Sequence, residues 1–193
     1  RSGWIALGLF EGEFDEADAA AVHVDRATLD VLVREGVVEA GSATRWRIPT
    51  ELRDDARRGL DALPDAFDLR LAHARRALVE REPAVETSDV LAAVDWIRGQ
   101  QGPDKNVSDA VWAVLAEVIF AHPEFVLDLG EEVARARGSL EHRASILLCR
   151  ADRAIDSGDL KSIEAYEQEI RALAEKIEDR PWLATLTLAL GGI

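Results

Sequence analysis

Methionine is absent from the 193 residues, cysteine and tyrosine occur once each, and aromatic side chains make up only 6% of the chain. The lone Cys149 cannot close an internal disulfide, and nothing around it has zinc-ligand spacing, so a reducing cytoplasm is the expected setting. Its neighbours Ile146, Leu147 and Leu148 are apolar, which predicts a small buried core residue rather than a reactive thiol. Positive charge is also scarce: 23 Lys and Arg face 37 Asp and Glu, for a formal charge of −14. Such a chain repels nucleic-acid phosphates and anionic membrane surfaces, so any DNA contact requires a local basic patch. The opening apolar stretch, 4–10, is too short for a membrane span and is interrupted by Gly8. It has no leader or basic segment before it, and residues 185–193 stop in an apolar run. Together with the missing methionine, these ends predict a piece of a longer protein.

What remains is rich in Ala, Leu, Val, Glu, Asp and Arg, with 48% hydrophobic residues, enough for a real core. That composition predicts a mainly all-α chain with at most a small β-hairpin. Two regions follow. Residues 1–63 hold short pieces: helices over 4–9, 15–22 and 25–35, the second capped by Asp15 and the third by Asp25 and closed by Gly36. Residues 37–39 and 45–48 then flank the flexible tip 40–44, with Trp46 and Ile48 alternating with Arg45 and Arg47, the pattern of a two-stranded hairpin. Three helices and a β-hairpin make a winged-helix arrangement, after which Thr50 is expected to cap a helix ending before Pro64.

Residues 64–193 read as helices only, with apolar positions three and four apart. The expected helices and stripes are 66–81 (Phe67, Leu71, Ala74, Leu78), 88–98 (Val90, Leu91, Val94, Ile97), 108–121 (Val111, Leu115, Val118, Ile119) and one opened by Pro123 (Phe125, Leu129, Val133, Ala136). Pro83 and the Gly99–Pro103 stretch punctuate them. A long helix from Arg135, a turn at Ser157-Gly158-Asp159-Leu160, a second long helix and a third from Pro181 complete the chain. Helical hairpins of this kind cannot bury their apolar faces alone and normally exist in a stack, which predicts an α-helical, tetratricopeptide-like repeat array.

Catalytic chemistry finds little footing. His23, His73, His122 and His142 share no metal-ligand spacing and read as surface or helix-end residues. Carboxylates are scattered along solvated faces, and Ser139, Ser145 and Ser157 lack a nucleophile-elbow context. Neither a phosphate-binding Gly-x-x-x-x-Gly-Lys-Ser/Thr loop nor a Gly-x-Gly-x-x-Gly turn is present. No enzyme, cofactor or metal is expected. Trp96, Trp112 and Trp182 fit packing between helices better than a ligand platform. Arg143, Arg150 and Arg153 are the candidate partner-binding residues, since the first helix of a stacked hairpin lines a concave groove where Arg can grip a carboxylate or phosphate. The bland alternative pairs them with Asp152 and Asp156 on an exposed face. Arg45, Arg47 and Arg53, with Arg57 and Arg58 nearby, are the candidate contacts of the wing.

The stretch from Trp46 to Arg58, with Leu52, Arg53 and Ala56 following Trp46-Arg47-Ile48, resembles the end of the winged-helix domain of STAND-class (NB-ARC-like) signalling ATPases and bacterial transcription regulators. Phe10-Glu11-Gly12-Glu13-Phe14 looks like the family's Phe-x-Gly-Gly-Phe turn, with Glu13 where the second Gly is usual. Leu29 to Val38 is similar to the helix that leads into its wing, with Gly36-Val37 in place of Ser-Leu. Arg70 to Trp96 is similar to the two helices that lead into its repeats; Gly158-Asp159-Leu160 and Asp179 to Leu183 resemble the repeats themselves, although Ile163 replaces the usual Ala. The resemblance implies an ATPase module before Arg1, a winged helix that mostly packs within the protein, and helical repeats that sense a small-molecule inducer or a protein partner. The expected helix 25–35 carries Asp25, Asp30 and Glu35 against Arg26 and Arg34, whereas a helix entering the major groove needs a basic, amide-rich face. The expected function is therefore regulatory contact. The rival is a winged-helix DNA-binding transcription factor with a helical dimerisation domain.

Overall fold

The computed structural model describes residues 3–42, 44–80, 88–100, 105–118, 124–179 and 181–184. Pro83, Pro103, Ile119, His122, Pro123 and the run 185–193 lie outside the described residues. The chain is mostly helical with a small two-stranded antiparallel sheet. Its contacts divide it into two compact units, 1–99 and 100–193. Pro64, where the sequence places the end of the first module, falls inside the first of them.

In the first unit α1 (Gly3–Leu7), α2 (Glu16–Ala21) and α3 (Arg26–Arg34) precede the strands β1 (Glu39–Ala40) and β2 (Trp46–Arg47). Local chemistry accounts for each boundary. Asp15 caps α2 by accepting the N–H of Asp18, while the Asp18 carboxylate returns to the N–H of Asp15, a reciprocal capping box. Asp25 caps α3 through the N–H of Thr28. The end of α3 is closed by Gly36 at φ 71°, with Gly36 N–H donating to Val33 O and Val37 N–H to Leu32 O. These two bonds satisfy carbonyls that a helix end otherwise leaves open, and the left-handed residue they need is glycine. In the hairpin Glu39 pairs with Arg47 and Ala40 with Trp46, and Phe14 adds an isolated bridge to Trp46. Phe10, Phe14, Leu29, Leu32, Val38, Ile48 and Leu60 share one core beneath these elements.

Next come α4 (Thr50–Leu60), α5 (Ala66–Arg75), a π-helical turn over Arg76–Glu80 and α6 (Ser88–Gly99). Three details depart from the sequence expectation. Pro49, not Thr50, holds the N-cap position of α4, without a side-chain bond; its fixed φ suits that place and leaves Thr50 as the first helical residue. The helix expected to run from 66 widens into the π turn, so the buried set becomes Leu69, His73, Ala74, Ala77 and Leu78, with Phe67 only half-buried. Leu91 is 55% exposed, because the buried face of α6 is set by Val90, Ala93, Val94 and Ile97.

The second unit is a run of helices, α7 (Lys105–Val118), α8 (Glu124–Ala136), α9 (Leu140–Ser157) and α10 (Leu160–Ala174), each packed against the one before it. The long helix expected from Arg135 is interrupted: Gly138 at φ 66° ends one helix and Ser139 caps the next through the N–H of His142. Of the stripe expected for α8, Leu129 and Val133 are buried and Phe125 is half-buried, while Ala136 is exposed and Val126, Leu127 and Ala134 are buried in addition. Gly158 and Asp159 repeat this stop-and-start between α9 and α10. Leu147, Ile170, Leu173 and Ile177 form the core of that hairpin, with Tyr166 and Trp182 against its edge.

Asp18 ties the first unit together. It is fully buried, and beyond its capping bond its Oδ1 accepts from Arg76 Nε at 2.9 Å, in the π turn far along the chain. Arg45, beside the hairpin, approaches its other oxygen at 3.8 Å. Arg76 also lies 3.6 Å from Asp15, so removing the Asp18 charge leaves a largely buried guanidinium only partly compensated, a change of the kind that costs about 3 kcal/mol. Asp18→Asn preserves shape and abolishes charge, so urea unfolding should show a loss of about 3 kcal/mol; a loss below about 1 kcal/mol, the scale of an exposed pair, would refute this role for Asp18.

Candidate functional site

The first unit contains a cleft of about 220 Å³ assembled from four segments distant in sequence. Gly8, Leu9 and Glu11 follow α1; Arg57, Arg58, Leu60 and Asp61 come from the end of α4; α5 gives Arg70 and His73; α6 gives Ala92, Ala93 and Trp96. Gly8 makes the first wall possible. A Cβ there would stand 2.5 Å from Ala56 Cβ, inside contact distance, so only glycine lets the segment after α1 lie against α4. That approach brings the Gly8 carbonyl within 3.3 Å of Arg57 Nε, and Arg57 also pairs with Glu11. Arg70 Nη2 is 2.5 Å from Asp61 Oδ1, and Arg58 pairs with Asp55. Arg57 and Arg58 lie in the last turn of α4, where the helix dipole favours cations.

His73 corrects the expectation of a surface histidine. It is 4% exposed and meets the ring of Phe10 edge-on at 5.1 Å. Its Nε2 lies 3.9 Å from Asp89 Oδ1, too far for a hydrogen bond, and has no hydrogen-bond partner. Asp89 itself is buried and accepts the Glu11 N–H at 2.6 Å, which fixes the Glu11 backbone. Trp96 packs against Phe67 at 5.7 Å between ring centres. The lining holds three guanidiniums against two carboxylates, in a chain of formal charge −14. Among the described residues the lining includes no Ser, Thr, Cys or Lys nucleophile. Its chemistry is that of a binding cleft with an apolar wall and a cationic rim.

The arginines singled out from sequence lie elsewhere. Arg150 sits among Glu124 (3.2 Å), Asp128 (2.6 Å) and Glu131 (2.6 Å), with its side chain 15% exposed. Burial works against its charge, yet Glu131, Glu124 and Asp128 hold its pKa above the ordinary value. Arg153 approaches Glu124 at 3.4 Å, and Arg143 reaches Glu169 at 3.1 Å. These residues join α9 to α8 and to α10. Their partners thus include acids on other helices that the pairing with Asp152 and Asp156 did not foresee, and the spacing of Glu124, Asp128 and Glu131 along one face of α8 is the signal that could have found those of Arg150 and Arg153. Near the wing, Arg45 donates to the Glu13 carbonyl at 3.1 Å, Arg47 pairs with Glu39 at 3.0 Å, and Arg53 reaches the Ile48 carbonyl at 3.4 Å. The cleft is not legible in the sequence, where Arg57 and Arg58 stand out only as neighbours of the wing and no local pattern marks helices that meet only in space.

Cys149 is buried, and burial pushes its thiol pKa up to about 11, which makes it an inert core residue. Trp112 is a packing residue with a specific partner: it stacks on His142 at 3.8 Å and 21° between planes. Among the described residues no group of three or more His, Cys, Asp or Glu could hold a metal ion, and no helix is long and apolar enough to cross a membrane. No protein-family model, curated protein or solved structure matches the chain.

Burial and the nearby Arg137 lower the His142 pKa to about 4, with Glu141 and Asp109 opposing them. The unfolded chain, with an ordinary imidazole near 6.5, binds more protons than the folded chain between pH 6.5 and 4, so His142 contributes loss of stability as pH falls through that window and none above it. Urea midpoints measured from pH 7.5 to 4.5 should fall less steeply in His142→Phe than in the parent chain. Equal slopes would place the acid sensitivity elsewhere.

Proposed function

We propose that the chain is a regulatory, contact-making part of a STAND-type signal-transduction ATPase or transcription regulator: a winged-helix module followed by a tetratricopeptide-like helical array. Several features support this reading. The order of helix, extended bridge, two helices and hairpin is that of a winged helix, and the bridge is a paired one: Phe14 N–H donates to Trp46 O and Trp46 N–H to Phe14 O, both at 2.8 Å. This gives the small sheet a third, single-residue member. The nearest-neighbour packing of α7 to α10, with a Gly-Asp link between the last two, is the arrangement expected of stacked helical hairpins.

The observation that carries the regulatory reading over the DNA-binding one is the engagement of cations around α3. Arg26 is held by Asp30 at 3.0 Å and Glu16 at 3.3 Å and lies 5.0 Å above the Trp46 ring. Arg34 Nε turns back to the Asp30 carbonyl. The arginines of the wing are engaged as described, while Val31 and Val33 are more than a third exposed. A surface of paired charges and apolar side chains suits a protein contact, since DNA binding draws most of its affinity from cations that neutralise phosphates. In the proposed mechanism a small-molecule inducer or a protein partner favours one packing of the array and shifts the population away from a state that restrains an ATPase module. Nucleic acid is not a partner in this mechanism, and the chain supplies no catalytic group of its own.

Two measurements test the proposal. Gel-shift titrations should show no specific DNA complex and no steep dependence on salt; a slope of several in log K against log salt would favour the DNA-binding alternative. In a longer protein carrying the ATPase module, Val31→Asp on the exposed face of α3 should raise ATP hydrolysis in the absence of inducer. An unchanged basal rate argues against restraint through this surface.

A further inference from the structure

We propose that the cleft between α1, α4, α5 and α6 binds a small organic monoanion, a carboxylate carried on a compact apolar body of about one aromatic ring. The size comes first. An engineered apolar cavity of about 150 Å³ accommodates benzene, whereas drug-sized ligands occupy roughly 300–1,000 Å³. The 220 Å³ here lies between these values and suits a ring with a short acidic arm. The walls provide the matching surface: Leu9, Leu60, Ala92 and Ala93 are apolar, and Trp96 offers an indole.

The rim selects the charge. Arg70 donates to Asp61 from a guanidinium with five N–H donors, and Arg57 donates to the Gly8 carbonyl and to Glu11. Both retain donors for a further acceptor, and a planar carboxylate matches the guanidinium fork. Glu11 and Asp61 on the same rim disfavour a dianion. His73 adds an independent mark of an unfilled polar requirement. His73 is among the lining residues, and its buried Nε2 makes no hydrogen bond, standing 3.9 Å from Asp89 Oδ1; such a group costs about 1–3 kcal/mol unless an acceptor, donor or water reaches it. The site belongs to the first unit alone and does not depend on an ATPase module or on the helical array sensing an inducer.

Phenylacetate, with phenylacetamide as its neutral counterpart and acetate as its headgroup alone, provides the probe. Titrated into the isotopically labelled chain, phenylacetate should shift the Trp96 indole N–H and the backbone amides of Ala92 and Ala93. It should bind about tenfold more tightly than phenylacetamide, the scale of a charge-assisted hydrogen bond. Arg70→Gln should weaken phenylacetate about tenfold while leaving phenylacetamide unchanged; a spectrum otherwise matching the parent shows that the fold is retained. Equal binding of acid and amide, acetate binding as well as phenylacetate, or shifts confined to residues outside α5 and α6 would each overturn the proposal. If Arg70→Gln does not fold, the comparison of acid with amide on the parent chain still decides.

Discussion

A carboxylate excluded from water organises the first unit. Asp18 is placed by its own helix start, where the exchange of bonds with Asp15 fixes its rotamer. So held, it offers a fixed anion to Arg76 and faces Arg45. Helix, hairpin and π turn therefore converge on one charge. Apolar packing through Phe10, Phe14 and Leu29 is non-directional and tolerates alternatives. The ion pair is directional, because a packing that separates Arg76 from Asp18 loses a short charge-assisted hydrogen bond to a fully buried carboxylate.

The same logic extends to the cleft. With the π turn anchored, α5 presents His73 and Arg70 on the side where the end of α4 and α6 meet it. Gly8 sets how closely the chain after α1 can lie against α4, and Asp89 fixes the backbone that carries Glu11. Each lining arginine has an acidic neighbour already. Affinity for an anion there comes from adding to or exchanging with those neighbours, in contrast to a bare cationic patch that captures any passing polyanion.

Caps and stops were legible in the sequence because their chemistry is local. Asp15, Asp25, Gly36 and the Gly158-Asp159 pair act within a few residues of where they stand. The hairpin was visible through the alternation around Trp46. Periodicity located the helices but not their neighbours: Leu91 sits three residues from Val94 in a sound apolar stripe, yet it is more than half exposed. The π turn escaped because a widened turn leaves no compositional mark when Ala77 and Leu78 remain apolar. Arg143, Arg150 and Arg153 looked like free cations of a groove because their acids lie 19 to 29 residues away on other helices. The burial of His73 and Asp89 was invisible for the same reason.

Most of the packing described in the second unit joins successive helices, α7 to α8, α8 to α9 and α9 to α10, with Trp112 of α7 also stacked on His142 of α9. A structure of that kind has no single keystone, and the free energy of opening should grade along it, smallest where a helix has one flank supported. Helix α9, gripped by α8 through Arg150 and by α10 through Arg143, belongs to the hardest part to open.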